Sequence, residues 1–296
     1  MLVEKITSRQ NPLVKRFRRV RTMGERQHIF LEGVRLIEDA IQAGAHFESV
    51  AFTSELESNE RGAALLDVLL RSVQCRGALV SKQVMEAIVD TQTPQGVAAL
   101  VSRPYHELDD IFNADPDLLV IADELQDPGN LGAIIRTAEA AGASGLITTR
   151  YTVDPFNDKA IRASMGSALR LPITTGTSRL DVATRCREHK IRIIASRAPT
   201  TTTQEGAEST EDQVTSSAYY DVDMTVPTAL IVGREATGVS ELWAANADGF
   251  AHIPMSDGVE SLNVAAAASI LLYEAARQRG FEFKPGRFLK PEAVRP

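Results

Sequence analysis

The feature that most constrains this 296-residue chain is a run near its end, residues 264–276, in which only Ser269, Tyr273 and Glu274 are polar. A helix of that composition has almost no face fit for water, so other elements must enclose it. Before it come a short apolar segment ending at Pro254 and a polar loop containing Gly258. Ser261 stands where an N-cap is expected, and the helix is predicted to begin near Leu262. The pattern reads as strand, loop, buried helix. Asn263 needs a partner or a capping role, because an unpaired buried amide costs on the order of a few kcal/mol.

The rest of the second half repeats strand and helix. Residues 118–122 form a buried-type strand, and a helix is predicted over 130–141 with Leu131, Ile134, Ile135 and Ala138 on its apolar side and Gly142 as its stop. Further strands are expected at 146–148, 173–175, 191–195, 229–232 and 251–253. Helices fit between most of them, which predicts a mostly parallel sheet covered on both faces. In the first half, helices are expected at 11–20, 30–43, 62–70 and 81–88 and strands at 49–53 and 97–101, the signature of a small α/β domain. Residues 103–116, with Pro104 and Pro116, break the apolar rhythm. The expected division is therefore a domain over 1–102, a linker over 103–117 and a domain over 118–296. Residues 199–217, rich in threonine and acids, read as a mobile surface insertion in the second domain.

No apolar run reaches the length of a membrane span and the first residues lack a signal-peptide core, so a cytoplasmic protein is expected. Cys75 and Cys186 have no neighbouring Cys or spaced His, which points away from a disulfide framework or a metal site and towards two buried thiols. The net charge of −7 argues against coating nucleic acid by charge alone. Its distribution is uneven, however. Nine Lys and Arg face three Glu in the first 35 residues, and Lys15, Arg16, Arg18 and Arg19 lie within one predicted helix. A basic arm on an acidic body suggests that one end meets phosphate; the competing reading is an ordinary solvated helix face.

In a parallel sheet, ligands sit beyond the carboxyl ends of the strands. Three loops hold that place here: Asp123 to Gly132, followed by Arg136 one helical turn on; Gly233 to Ser240; and the stretch from His252 to Asn263. Gly233 and Gly238 have the spacing of a phosphate loop, but Val239 stands where Lys would be required, and no Gly-x-Gly-x-x-Gly follows the 118–122 strand. A triphosphate loop is excluded, and the chain offers no support for a dinucleotide loop. What remains is backbone that can approach a ligand closely or make a tight turn.

These loops resemble the SpoU family of RNA ribose 2′-O-methyltransferases, TrmH-like members of the SPOUT class. The first family motif is matched by Asp127-Pro-Gly-Asn130-Leu-Gly132 with Arg136, the second by Gly233-Arg-Glu235-Ala-Thr-Gly238, and the third by Ile253-Pro-Met255 and Ser261-Leu-Asn263-Val264. Arg234 departs from the small or amide residue common after the motif glycine. The resemblance spans roughly 118–280, and more weakly the N-terminal part, which is similar to the family's small substrate-binding domain. It implies an α/β fold whose C-terminal parallel sheet carries a deep trefoil knot. The implied reaction is methyl transfer from S-adenosylmethionine to a ribose 2′-hydroxyl of RNA, most plainly ribosomal RNA, by a homodimer without metal. It places the cofactor against Gly233, Ile253, Met255 and Leu262, and the chemistry on Arg136, Asn130, Glu235, Ser261 and Asn263. An arginine guanidinium is never deprotonated under ordinary conditions, which favours Arg136 as a stabiliser of developing alkoxide over a base. Transfer RNA as substrate, methylation of a base nitrogen, and a non-catalytic RNA-binding or ribosome-assembly protein of the same fold are the alternatives.

Overall fold

A computed structural model describes residues 2–197, 216–233 and 239–281. It divides into two compact units; the first comprises residues 1–105 together with 156–169, and the second holds 106–155 and 170–289.

The first unit is built on a mixed five-stranded sheet. Its strands are β1 (Leu2–Ile6), β2 (His28–Glu32), β3 (Phe47–Phe52), β4 (Arg76–Val80) and β5 (Val97–Ser102), in the order β1-β4-β3-β5-β2. β1, β4 and β3 run parallel, while β5 is antiparallel to both β3 and β2. The helices are α1 (Pro12–Met23), α2 (Val34–Gln42), α3 (Glu60–Ser72) and α4 (Lys82–Ile88). Asn11 caps α1 by accepting from the Leu13 amide, Pro12 opens it, and Leu13, Val14, Phe17 and Val20 are its buried face. Phe17 meets Phe30 edge to face at 6.4 Å. The helix expected over 30–43 is shorter than its apolar pattern suggested. Residues 30–32 complete β2, and Gly33, at φ 96°, turns the chain before α2 begins, a conformation only glycine adopts freely. The strands β1, β2 and β4 were not anticipated.

Between the sheets in sequence stands α5 (Leu108–Asn113), within the stretch read as a linker. The second unit then forms a seven-stranded sheet from β6 (Leu118–Ala122), β7 (Gly145–Thr149), β8 (Ile173–Thr177), β9 (Arg192–Arg197), β10 (Ser216–Ala218), β11 (Thr228–Val232) and β12 (Gly249–His252). Their order is β10-β12-β9-β11-β6-β7-β8, and every pairing is parallel. Its helices are α6 (Pro128–Ala140), α8 (Arg179–Glu188), α9 (Glu241–Asn246) and α10 (Val264–Gln278), whereas α7 (Asp158–Ser164) belongs to the first unit. Ile121, Ile147, Ile193, Ile231 and Trp243 lie at the centre of one core cluster. All five residues of β6, β7 and β11 are buried, as strands covered on both faces must be. Most of the insertion expected over 199–217 lies outside the described residues; its last two residues open β10.

Two sequence expectations change in detail. The N-cap of α10 is Asn263, which accepts from the amides of Ala265 and Ala266, and not Ser261, which is exposed. Cys186 is buried, but Cys75 is only partly so; burial pushes their thiols up to about 12 and about 11 respectively.

Candidate active site

The strand order reverses between β6 and β11. β7 and β8 extend the sheet on one side of β6, whereas β9 lies on the far side with β11 inserted between them. Such a switch point opens a crevice at the carboxyl ends of the strands. Here Val232 pairs with Ala122, and the Asp123 amide donates to the Val232 carbonyl at 2.9 Å, so the loop entering α6 and the loop after Gly233 start side by side. Gly233 is buried at this mouth.

The first loop is rigidly terminated. The Asp127 side chain caps α6 by accepting from the Asn130 amide at 2.8 Å, and Pro128 sets the first helical turn. That cap aims Asn130 away from the helix axis, where Asn263 Nδ2 donates to its Oδ1 at 3.0 Å. Because Asn263 Oδ1 is already engaged by the amides of Ala265 and Ala266, the second and third residues of α10, the amide orientation is fixed and the NH₂ group is the end that faces Asn130. A second link follows where α6 and α10 pack, between the hydroxyls of Thr137 and Ser269 at 3.2 Å. Arg136 lies on α6 two turns in from its start, exposed to solvent. Ile253, Met255 and Leu262 are half-buried apolar side chains along the segment that leads from β12 to α10. Partly open apolar side chains, and a glycine that lets backbone come close, fit the needs of an adenosine moiety, which takes a slot more readily than a charge. Glu235, Arg234 and Gly238 lie outside the described residues.

Sequence reasoning missed a cluster under the first loop. Asp123, almost fully buried, accepts from Thr149 Oγ1 at 2.8 Å and from Arg179 Nε at 2.7 Å, and Arg179 also pairs with Glu124 at 2.5 Å. Thr149 Oγ1 in turn accepts from the Glu124 amide at 3.2 Å. Burial works to lower the Arg179 pKa, but the hydrogen bonds to Asp123 and Glu124 outweigh it and raise the value. This network fixes Glu124, which sits at φ 55°, at the root of the loop that leads into α6, whose first turn carries Asn130. The visible signal was a carboxylate directly after an apolar strand; its arginine partner lies 56 residues away.

The basic residues of the N-terminal arm sit in the first unit, on α1. Lys15, Arg18 and Arg19 are exposed, whereas Arg16 is one-third exposed and pairs with Glu48 at 2.7 Å, with Glu25 at 3.7 Å. Arg19 lies 3.8 Å from Glu25. Among the described residues no cluster of three or more His, Cys, Asp and Glu side chains has the arrangement of a metal site, and no helix is long and apolar enough to cross a membrane.

The parallel sheet, its switch-point crevice and the coupled N-termini of α6 and α10 are those of a methylase domain: residues 117–273 match the model of the SpoU rRNA Methylase family. Residues 11–99 match an MRM3-like substrate binding domain. The chain belongs to the SpoU rRNA methylase family. It is 33% identical to the 23S rRNA (uridine(2479)-2′-O)-methyltransferase of Streptomyces viridochromogenes, over 83% of this chain and 82% of that one. It is 30% identical to the 23S rRNA (guanosine(2553)-2′-O)-methyltransferase RlmP of Bacillus subtilis, over 92% of this chain and 98% of the relative. The crystal structure of an AdoMet-bound rRNA methyltransferase from Sinorhizobium meliloti superposes with a TM-score of 0.76 at 30% identity, covering 93% of this chain and 98% of that one.

Proposed function

We propose that this protein transfers a methyl group from S-adenosylmethionine to a ribose 2′-hydroxyl of ribosomal RNA. The observation that carries the proposal is the Asn130–Asn263 hydrogen bond at the switch point, which joins the first turn of α6, the helix bearing Arg136, to the N-cap of α10, just after the segment bearing Ile253, Met255 and Leu262. The names of the relatives, both 23S rRNA 2′-O-methyltransferases, support ribose and ribosomal RNA.

In this reading, Gly233, Ile253, Met255 and Leu262 hold the cofactor, which when bound supplies an electrophilic methyl group. Transfer requires the ribose oxygen in line with that methyl and a means of stabilising the charge that develops on the oxygen. Arg136, exposed and permanently cationic, serves that second need and can also hold a neighbouring phosphate through its planar fork. Asn130 and Asn263 orient the nucleotide and keep the starts of α6 and α10 in register; the SpoU resemblance adds Ser261 and Glu235 to the reacting set. Lys15, Arg18 and Arg19, with the partly paired Arg16, meet RNA phosphates from a substrate-binding domain over residues 1–102, joined through 103–117 to the methyltransferase domain over 118–296. The active form is a homodimer in the cytoplasm, and the second sheet closes a deep trefoil knot; these follow the SpoU resemblance.

The test is direct. Full-length protein is incubated with methyl-labelled S-adenosylmethionine and ribosomal RNA from cells lacking the gene, and the labelled nucleotide is mapped by digestion and mass spectrometry. One 2′-O-methylated nucleoside in ribosomal RNA is the expected product. Label on a base, on transfer RNA alone, or on no RNA would overturn the reading.

A further inference from the structure

We propose that Tyr151 is a platform on which an unpaired RNA base stacks next to the ribose being methylated; the inference rests on the RNA reading above. Tyr151 follows β7, whose carboxyl end lies beside that of β6, and the residue is 77% exposed. Its backbone is left-handed, at φ 70°. For a residue with a bulky side chain that conformation costs on the order of 1 kcal/mol or more, so it persists only where its surroundings impose it.

They do so here through several hydrogen bonds. The Gln126 side-chain amide donates to the Tyr151 carbonyl, Thr152 Oγ1 donates to the Ala122 carbonyl at 3.1 Å, and the Val153 amide donates to the Leu125 carbonyl at 2.8 Å. On the other side, the Arg150 amide donates to the Thr177 carbonyl at 3.1 Å. The turn is thus knitted to the ends of β6 and β8 and to Gln126, the residue directly before the α6 cap at Asp127. A ring held in this way gains almost nothing from burial in the protein itself, and asparagine or glycine would suit the backbone better. Lone exposed apolar residues are common, but this one combines a strained, over-determined backbone with hydrogen bonds to the loop that leads into α6, whose first turn carries Asn130.

The chemistry that fits is an unstacked nucleobase. Proteins read single-stranded RNA largely by splaying bases onto aromatic rings, a contact every base can make because every base has a π-face. Arg150, exposed beside Tyr151, supplies a cation for the adjoining phosphate.

The experiment measures steady-state methylation of ribosomal RNA from cells lacking the gene, using the full-length protein, alongside calorimetric affinity for S-adenosylmethionine. In Tyr151→Asn, which removes the ring and suits the left-handed backbone, KM for RNA should rise on the order of tenfold, with kcat and cofactor affinity held and a melting temperature no lower than wild type. Tyr151→Phe and Tyr151→Trp should restore the wild-type KM, and Tyr151→Leu, apolar without a π-face, should not. A KM within about twofold of wild type in Tyr151→Asn, or rescue by Leu equal to that by Phe, would overturn the platform while leaving the methyltransferase reading intact. A wild-type protein that labels no RNA would overturn both.

Discussion

Asn263 Nδ2 donates to Asn130 Oδ1 at 3.0 Å, across 133 residues of sequence, while the other end of the same Asn263 amide caps α10. One side chain therefore has a structural duty and a positioning duty, and the two can be separated. Asn263→Asp keeps the capping oxygen and should hold stability near wild type, whereas Asn263→Ala should lose about 1 kcal/mol. Both lose the donor to Asn130 and should lower methylation on the order of tenfold. Denaturant melts paired with turnover measurements check this; an aspartate variant with full activity would show that the cap alone matters.

Arg136 carries the proposed electrostatic role. Arg136→Ala should reduce turnover on the order of 10²-fold, with cofactor affinity near wild type, because the residues proposed to hold the cofactor lie outside α6. Arg136→Lys keeps the charge without the planar fork and should recover little. Single-turnover rates and calorimetry on the same preparations decide the matter, and strong rescue by lysine would reduce the role to a point charge.

Asp123 and Arg179 form a nearly buried pair, with Thr149 as a third partner. Arg179→Met leaves the Asp123 carboxylate without its cation, and should cost about 2–3 kcal/mol once the partial exposure of Arg179 is discounted. Combining it with Asp123→Asn should cost clearly less than the two single changes added together. Urea unfolding of the four proteins measures the coupling, and strict additivity would contradict it.

Glu32 predicts a pH dependence. Its carboxyl accepts from Thr91 and is raised above the ordinary glutamate range, chiefly by burial and further by the charge of Asp158; Thr91, Arg162 and Arg21 offset this only in part. Asp158 is raised too, again chiefly by burial, with Asp90 adding and Arg162 and Arg21 opposing. A folded-state pKa above the unfolded value means that the native protein holds the proton more tightly. The corresponding stability is complete below the unfolded pKa and is lost as pH rises through the folded one. Glu32→Gln should therefore be more stable than wild type at pH 7, with the gap closing below about pH 4. Thermal melts across that range test it, and a variant less stable at neutral pH would reverse the sign.

What could be read from the chain beforehand was local. The β6 strand, the Asp127-Pro128 opening of α6 and the enclosed α10 each announce themselves within a dozen residues, through an apolar run, a cap and a lack of polar faces. The α10 cap falls two residues beyond the expected Ser261 because Ser261 and Asn263 are both good caps and only the backbone decides between them. β1 was missed because four of its five side chains are exposed, as befits an edge strand, so no alternation marks it. The apolar period through residues 30–43 concealed a change from strand to helix that turns on the backbone of Gly33. The pairing of Arg179 with Asp123, and of Arg16 with Glu48, depends on which strands become neighbours, and charge counting along the chain cannot supply that.

The placement of α7 bears on how such a protein can be taken apart or recombined. Residues 156–169 interrupt the second unit in sequence but fold with the first, where a side chain at Gly166 would collide with the Asp39 carboxylate. A single cut within residues 103–117 would leave a front fragment missing a helix and a back fragment carrying α7, with its buried Ala160 and Ile161, apart from the unit it folds with. The two halves are therefore not interchangeable cassettes. Grafting a different RNA-recognition half onto this catalytic sheet would need matching changes at residues 156–169, so substrate range and catalytic scaffold are expected to diverge together.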